Sequence, residues 1–294
     1  MPTSSESGGP EASVTEVTPE LLRDWGLPDG GESKYSRGQV LVVGGDARSP
    51  GAARLAGEAA LRVGAGRLTV AIAASVAPQF AVALPECGVV PLAERRGHID
   101  GAAAASAIAD DLDAADAVLV GPGLDDIDET AALLGAYPDA DAVAVLDAYA
   151  LGALARDPAL RRGLPERLIL TPNLDEAELL LGGELDELAV ACATIARRLD
   201  AVVACYGSVA APDGRTWRAP EGSSGLGTSG SGDVLAGAVA GLAARGVEPA
   251  RAAVWGSYLH AVAGERLGAR IGTLGYLARE LPPELPRALA ELGF

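Results

Sequence analysis

Seven short apolar runs, interleaved with helical stretches rich in small residues, constrain the fold of this 294-residue chain more than any other feature. The runs are QVLVVGG over 39–45, RLTVAIA over 67–73, CGVVPL over 87–92, DAVLVGPGL over 116–124, AVAVLDAYAL from 142, LILTPN over 168–173 and AVVACYG over 201–207. Helical patterns cover 51–66, 100–115, 128–137, 174–182, 188–200, 233–245, 250–268 and 277–292. Runs apolar on both faces, separated by helices, predict a mostly parallel α/β sheet covered on both sides. Such sheets bind ligands at the carboxyl ends of their strands. The polar and glycine-rich exits at Gly44-Gly45-Asp46, Gly121-Pro122-Gly123, Asp147, Thr171-Pro172-Asn173 and Tyr206-Gly207 are therefore candidate site residues.

The start, MPTSSESGGPEASVTEV, is polar and rich in Gly, Pro and Ser, so residues 1–32 are expected to form a disordered or loosely attached tail. Within it, TPELLRDWGL predicts a short helix capped by Thr18. Residues 33–294 are then expected to form one domain. Aromatic residues are only 4% of the chain, so its core must be built from Ala, Val and Leu. The net charge of −17 argues against nucleic acid and anionic membrane surfaces as partners. Three cysteines without a CxxC pair suggest reduced thiols, no zinc site and a cytoplasmic location. The many small residues of the last helices would permit close packing of subunits, so a homo-oligomer is expected.

GTSGSGDVLAG over 227–237 carries the strongest chemical signal. Its glycines let the backbone approach a ligand closely. The amides of Gly230, Ser231 and Gly232 would face outward at a helix start, where partial positive charge favours phosphate. Asp233 would stand beside that anion. A plain alternative is that Ser231 or Asp233 caps the helix. No Gly-Lys-Ser/Thr follows, so the stretch is not a Walker A loop, and GGDARSPGA over 44–52 does not fit the dinucleotide fingerprint. His98 follows two arginines in a loop and is expected to be exposed. His260 lies on an apolar helix and is expected to be a hydrogen-bonded core residue. Asp147 is read either as a cap for the next helix or as a partner of the phosphate site.

In order along the chain, RGQVLVVGGDARSPGAARLAGEAALRVGAGRLTVA, DAVLVGPGLDD, AVLDAYAL, LILTPNLDE, GTSGSGDVLAG, YLHAVAGERL and IGTLGYLARELPPELPRAL resemble the ADP- or ATP-dependent NAD(P)H-hydrate dehydratases of the ribokinase-like superfamily. The resemblance runs from about Lys34 to the C-terminus. It implies a three-layer ribokinase-like fold and a lyase that restores hydrated NADH or NADPH. In that reaction a nucleotide phosphorylates the ring hydroxyl, and phosphate then leaves. It also implies Asp233 as base, Ala53, Gly123, Asn173 and Asp233 as substrate contacts, and Tyr206, Gly207, Ser208, Gly230, Ser231 and Gly232 as nucleotide contacts. Mg2+ would bridge the phosphates, and a separate epimerase would supply the correct epimer.

Three positions depart from the family pattern. Asn173 stands where relatives carry His. Tyr206 stands where a Lys precedes the glycine. Asp125 stands where a glycine follows the GPGL turn. TPN followed by Glu176 resembles related vitamin and sugar kinases, in which Asn and Glu help hold Mg2+ and phosphate, so Glu176 is the candidate metal ligand. Two further functions therefore stay open: a kinase for a small hydroxylated substrate, and a nucleotide-binding protein without turnover.

Overall fold

The computed structural model of the chain describes residues 14–31, 33–137 and 140–294. Its strands are β1 (Val14–Glu16), β2 (Gln39–Val43), β3 (Arg67–Ala73), β4 (Gly88–Leu92), β5 (Glu94–Arg95), β6 (His98–Ile99), β7 (Ala117–Val120), β8 (Val143–Leu146), β9 (Leu168–Leu170), β10 (Val202–Cys205), β11 (Ser208–Ala210) and β12 (Thr216–Arg218). Its helices are α1 (Pro19–Trp25), α2 (Pro50–Arg62), α3 (Ala77–Ala83), α4 (Gly101–Ala107), α5 (Ala109–Asp113), α6 (Ile127–Gly135), α7 (Tyr149–Arg156), α8 (Leu174–Leu181), α9 (Leu188–Leu199), α10 (Ser231–Ala244), α11 (Pro249–Arg270) and α12 (Leu285–Leu292).

Ten strands form one sheet in the order β1-β12-β11-β10-β9-β8-β7-β2-β3-β4, while β5 and β6 make a separate hairpin. Every pairing from β10 across to β4 is parallel; β10–β11 and β11–β12 are antiparallel. The seven apolar runs all become strands of this sheet. Side chains alternate along them, and so divide the core into two layers. Val40 and Val42 of β2 face the layer of α2, α10, α11 and α12, whereas Leu41 and Val43 face that of α4, α6, α7, α8 and α9. The chain leaves β2 toward β3 on one side and later returns to place β7 on the other. The carboxyl ends of β2 and β7 thus flank the point where strand order reverses, which opens a crevice in sheets of this type.

Four expectations change. Residues 1–13 and 32 lie outside the described residues, but Val14–Trp25 is not loosely attached. Val14–Glu16 pairs in parallel with Thr216–Arg218, and Leu22 of α1, whose Thr18 cap forms as expected, is fully buried. The stretch 100–115 divides into two helices at Ile108, which together with Leu112 turns into the core. The stretch 277–292 is helical only over Leu285–Leu292. Before it, Pro282 and Pro283 confine the chain to two 3-10 turns, because proline cannot donate the amide that a longer α-helix needs. Finally, the small residues of the last helices are used within the chain. A Cβ on Gly237 would stand 2.1 Å from the Ala56 carbonyl oxygen of α2, and one on Gly256 would stand 2.5 Å from Val239. They therefore provide no argument for subunit packing.

Candidate active site

The exits of β8, β9 and β10 and the start of α10 surround a cavity of about 690 Å³. Asp147, Thr171, Asn173 and Tyr206 come from the three strand exits; Gly230 to Asp233 come from the helix start. α10 begins without a side-chain cap. Gly230 occupies the N-cap position at φ +91°, a backbone conformation that favours glycine. Capping by Ser231 or Asp233 is thus set aside. The Ser231 hydroxyl instead pairs with His260 Nε2 at 2.9 Å, and both side chains are buried. The Ser231 amide donates to the Thr228 carbonyl at 3.2 Å. Amides of the first helical turn have no carbonyl one turn back to bond, so those of Gly232 and Asp233 remain for a ligand.

The electrostatics of this pocket are one-sided. Asp147, Glu176, Glu221 and Asp233 all line it, and its lining contains no Lys or Arg among the described residues. Burial, followed by the charge of Glu176, pushes the Asp233 carboxyl up to about 6. Burial also raises Asp147 well above the carboxylate range, with Asp233 and Glu176 adding to the effect. Asp147 accepts from the Thr171 hydroxyl at 2.9 Å and does not cap α7 through its side chain. Burial holds the His260 imidazole neutral down to about 4. An anionic ligand in this setting would depend on the helix-start amides and on a cation to offset the carboxyl groups. The donor set fits a hard ion such as Mg2+, because Glu176 and Asp147 both line the cavity and can offer carboxylate oxygens.

Asn173 and Glu176 are arranged differently from the expectation. Asn173 Oδ1 accepts from the Glu176 amide at 2.9 Å, and Glu176 Oε2 accepts from the Asn173 amide at 2.9 Å. This reciprocal box starts α8 and occupies the Asn173 carbonyl. It leaves the Asn173 NH2 group and the second Glu176 oxygen available to the cavity. Tyr206 sits at φ +46° in the tight turn between β10 and β11, and is 59% exposed beside Gly207. Ser208 begins β11 and lies off the cavity lining.

Ala53 and Gly123 also lie off that lining, together on its β2/β7 side. The Ala53 side chain is enclosed against Gly45, so it offers no surface to a ligand. Gly123 is half-buried at φ +74°, and its carbonyl accepts from the Asp46 amide at 2.8 Å and the Ser49 hydroxyl at 3.0 Å. Its turn adjoins the cavity, because a Cβ on Gly121 would stand 1.8 Å from the carbonyl oxygen of Asp147.

Sequence reading missed one cluster here. His98 is half-buried rather than exposed, and its Nδ1 lies 2.5 Å from Asp125 Oδ1. Asp46 is 2% exposed and accepts from the amides of Ile99 and Asp125. Only the position of Asp46, directly after a strand-ending Gly-Gly pair, hinted at this role.

A family model described as NAD(P)H-hydrate dehydratase matches residues 40–287. An ADP-dependent (S)-NAD(P)H-hydrate dehydratase from Xanthomonas campestris is 46% identical over 95% of this chain and 97% of that protein. A bifunctional NAD(P)H-hydrate repair enzyme from Moorella thermoacetica is 37% identical over 87% of this chain, which spans 50% of that relative's length. Among solved structures, an ADP/ATP-dependent NAD(P)H-hydrate dehydratase from Bacillus subtilis, co-crystallised with ATP/Mg2+, superposes with a TM-score of 0.77 at 29% identity, over 95% of this chain and 99% of that one. The fold is ribokinase-like.

Proposed function

The chain belongs to the NAD(P)H-hydrate dehydratase family, and from that premise we propose that it dehydrates hydrated NADH or NADPH with ADP or ATP as phosphoryl donor. The observation that carries this reading is the pairing, in one cavity, of uncapped α10 amides with the half-buried carboxyl of Asp233. Asp233 takes the proton from the ring hydroxyl. The hydroxyl oxygen then bonds to the terminal phosphorus of the nucleotide as the bond to the rest of the nucleotide breaks, releasing AMP or ADP. Amides of Gly232 and Asp233, with the backbone of Gly230, stabilise the transferring oxygens. Phosphate next leaves with the carbon–oxygen bond, the ring nitrogen supplying electrons. Loss of a proton from the adjacent ring carbon restores the double bond.

Mg2+ held by Glu176 and Asp147 would neutralise phosphate charge when bound. Asn173 keeps a donor for substrate, and Tyr206 and Gly207 border the nucleotide. Gly123 would border the hydrated ring, with Ala53 fixing the neighbouring backbone. The enzyme works with a separate epimerase in the cytoplasm. No helix among the described residues is long and apolar enough to cross a membrane.

Incubation with hydrated NADH, ADP and Mg2+ tests the proposal. Recovery of reduced-nicotinamide absorbance with stoichiometric phosphate release is expected. A stable phosphorylated alcohol would point to the kinase, which the Asn173–Glu176 box favours. A ligand-induced rise in Tm without turnover of any substrate would point to a binding protein.

A further inference from the structure

Three loops meet beyond the carboxyl ends of β2 and β7, and one cluster ties them together. Asp46 follows β2, His98 lies on the β5–β6 hairpin, and Asp125 follows β7. One ligand-type atom from each lies within 4.8 Å of the other two. Asp46 Oδ1 accepts from the Ile99 amide at 2.6 Å, and Asp46 Oδ2 accepts from the Asp125 amide at 2.9 Å. The Asp46 amide in turn donates to the Gly123 carbonyl at 2.8 Å. A shift of this cluster is therefore a shift of Gly123.

We propose that Asp46, His98 and Asp125 form a proton-held clasp that fixes the Gly121–Asp125 turn and so positions Gly123 for the hydrated nicotinamide. This role rests on the reading that Gly123 borders the substrate. The two carboxyl groups face each other and share one proton, and the imidazolium of His98 donates to the ionised Asp125. So held, the cluster carries no net charge. Burial, then the Asp125 carboxyl, pushes Asp46 up to about 6. The hydrogen bond to Asp125 raises His98 above its ordinary 6.5. For Asp125, burial acts upward but is outweighed by its bonds to His98 and Asp46, and the net direction is downward. Arg48, after β2, also favours the Asp125 charge, and Asp126 favours the His98 charge. Arg95 of the hairpin is paired with Asp100 and Glu129.

As pH rises, Asp46 loses its proton near 6 and His98 loses its proton above 6.5. Each loss leaves carboxylates facing one another without their proton or counter-charge, so the clasp weakens toward alkaline pH. Acid opens it only below the ordinary carboxylate range, when Asp125 is protonated. His98, Asp46 and Asp125 are thus positioning residues, and their effect falls on substrate affinity.

The chain contains two histidines, which makes the test direct. Proton NMR should show one imidazole, His98, titrating above 6.5, while His260 stays silent down to about 4. In Asp125→Asn the His98 midpoint should fall toward its ordinary value. The Kd of hydrated NADH should rise about threefold in the wild type between about pH 6 and about pH 8, the scale of one partly exposed ion pair. The Asp125→Asn variant should bind with a weaker Kd that has lost most of this pH dependence, and His98→Gln should bind more weakly while keeping only the part set by Asp46 near 6. A wild-type His98 midpoint at its ordinary value, or wild-type and Asp125→Asn binding curves that superimpose, would overturn the clasp. Absence of hydrated-NADH binding at every pH would instead overturn the functional reading on which it rests.

Discussion

The hydroxyl of Ser231 meets Nε2 of His260 at 2.9 Å, and both residues line the cavity. The hydroxyl is thus engaged by His260 and the amide by the Thr228 carbonyl. Removing the hydroxyl strands a neutral, buried imidazole nitrogen. Ser231→Ala should cost about 1–3 kcal/mol of stability, the penalty for an unsatisfied buried polar group. Nucleotide affinity should stay within about twofold, because the Gly232 and Asp233 amides are untouched. Chemical denaturation and nucleotide titration of the variant check both; a large loss of affinity at wild-type stability would contradict this account.

Asp233 is the second case, and its titration gives the sign of two effects. The carboxyl must be ionised to accept a proton, so kcat/KM should climb as pH rises through about 6 and level off above it. Asp233→Asn should lower turnover by roughly 10²–10⁴-fold. The side chain caps nothing, so the fold should survive. A pH–rate profile flat between about 5 and about 7, or near-wild-type turnover in the variant, would remove Asp233 as the base.

The same carboxyl makes a prediction about stability. A folded pKa of about 6 against 3.8 means that the folded chain binds more protons than the unfolded chain between those values. Stability contributed by this group is therefore present below 3.8 and lost as pH rises to about 6. Asp233→Asn should be more stable than wild type near pH 7, by on the order of 2 kcal/mol, with the gap closing in acid. Melting curves across the pH range test it; a variant less stable than wild type at neutral pH would show that the carboxylate is better solvated than its surroundings imply.

What could be read from the sequence, and what could not, follows from how each feature is encoded. A parallel strand buried on both faces must be apolar along its length, so the six inner parallel strands were legible, and β4 at the sheet edge was read from a shorter apolar run. β1 was not, because Val14–Glu16 is a three-residue edge strand with every residue exposed. The β5–β6 hairpin spans only two residues on each side. The α10 start was legible through its glycines, but sequence alone left open whether a side chain capped it. The Asp46–His98–Asp125 cluster joins residues up to 79 positions apart, and no local pattern marks such a meeting. The enclosure of Ala53 was hidden for a related reason. α2 reads as small and apolar on several sides, and only packing against β2 and α10 selects the face that closes.

Gly237 tests that packing. Its missing side chain lets α10 lie on α2, and an added Cβ would meet the carbonyl oxygen, carbonyl carbon and Cα of Ala56 at 2.1–2.6 Å. Those are backbone atoms and cannot rotate aside. Alanine gains about 1 kcal/mol of helix propensity over glycine. Overpacking costs of about 1–3 kcal/mol should exceed that gain, because the two helices would have to separate. Gly237→Ala should therefore lower Tm by several degrees. An unchanged or higher Tm would mean that the α2–α10 contact is looser than this spacing implies.

Tyr206 offers the last test, because its position and its chemistry pull apart. It presents an exposed ring at the cavity edge from a left-handed backbone, in a pocket whose described lining holds four carboxylates and no Lys or Arg. A lysine there would occupy the same strained conformation, so its backbone cost would match that of tyrosine. Its ammonium would add the cation that the pocket lacks. Tyr206→Lys should tighten nucleotide binding about fivefold, the worth of roughly 1 kcal/mol for a charge pair in a partly exposed site. The gain should shrink as salt is raised, because exposed charges are screened. Tyr206→Leu should show no such gain. Nucleotide titrations of the three proteins at two salt concentrations decide the matter. Equal affinities would mean that the turn between β10 and β11 stands too far from the phosphates for its side chain to act on them.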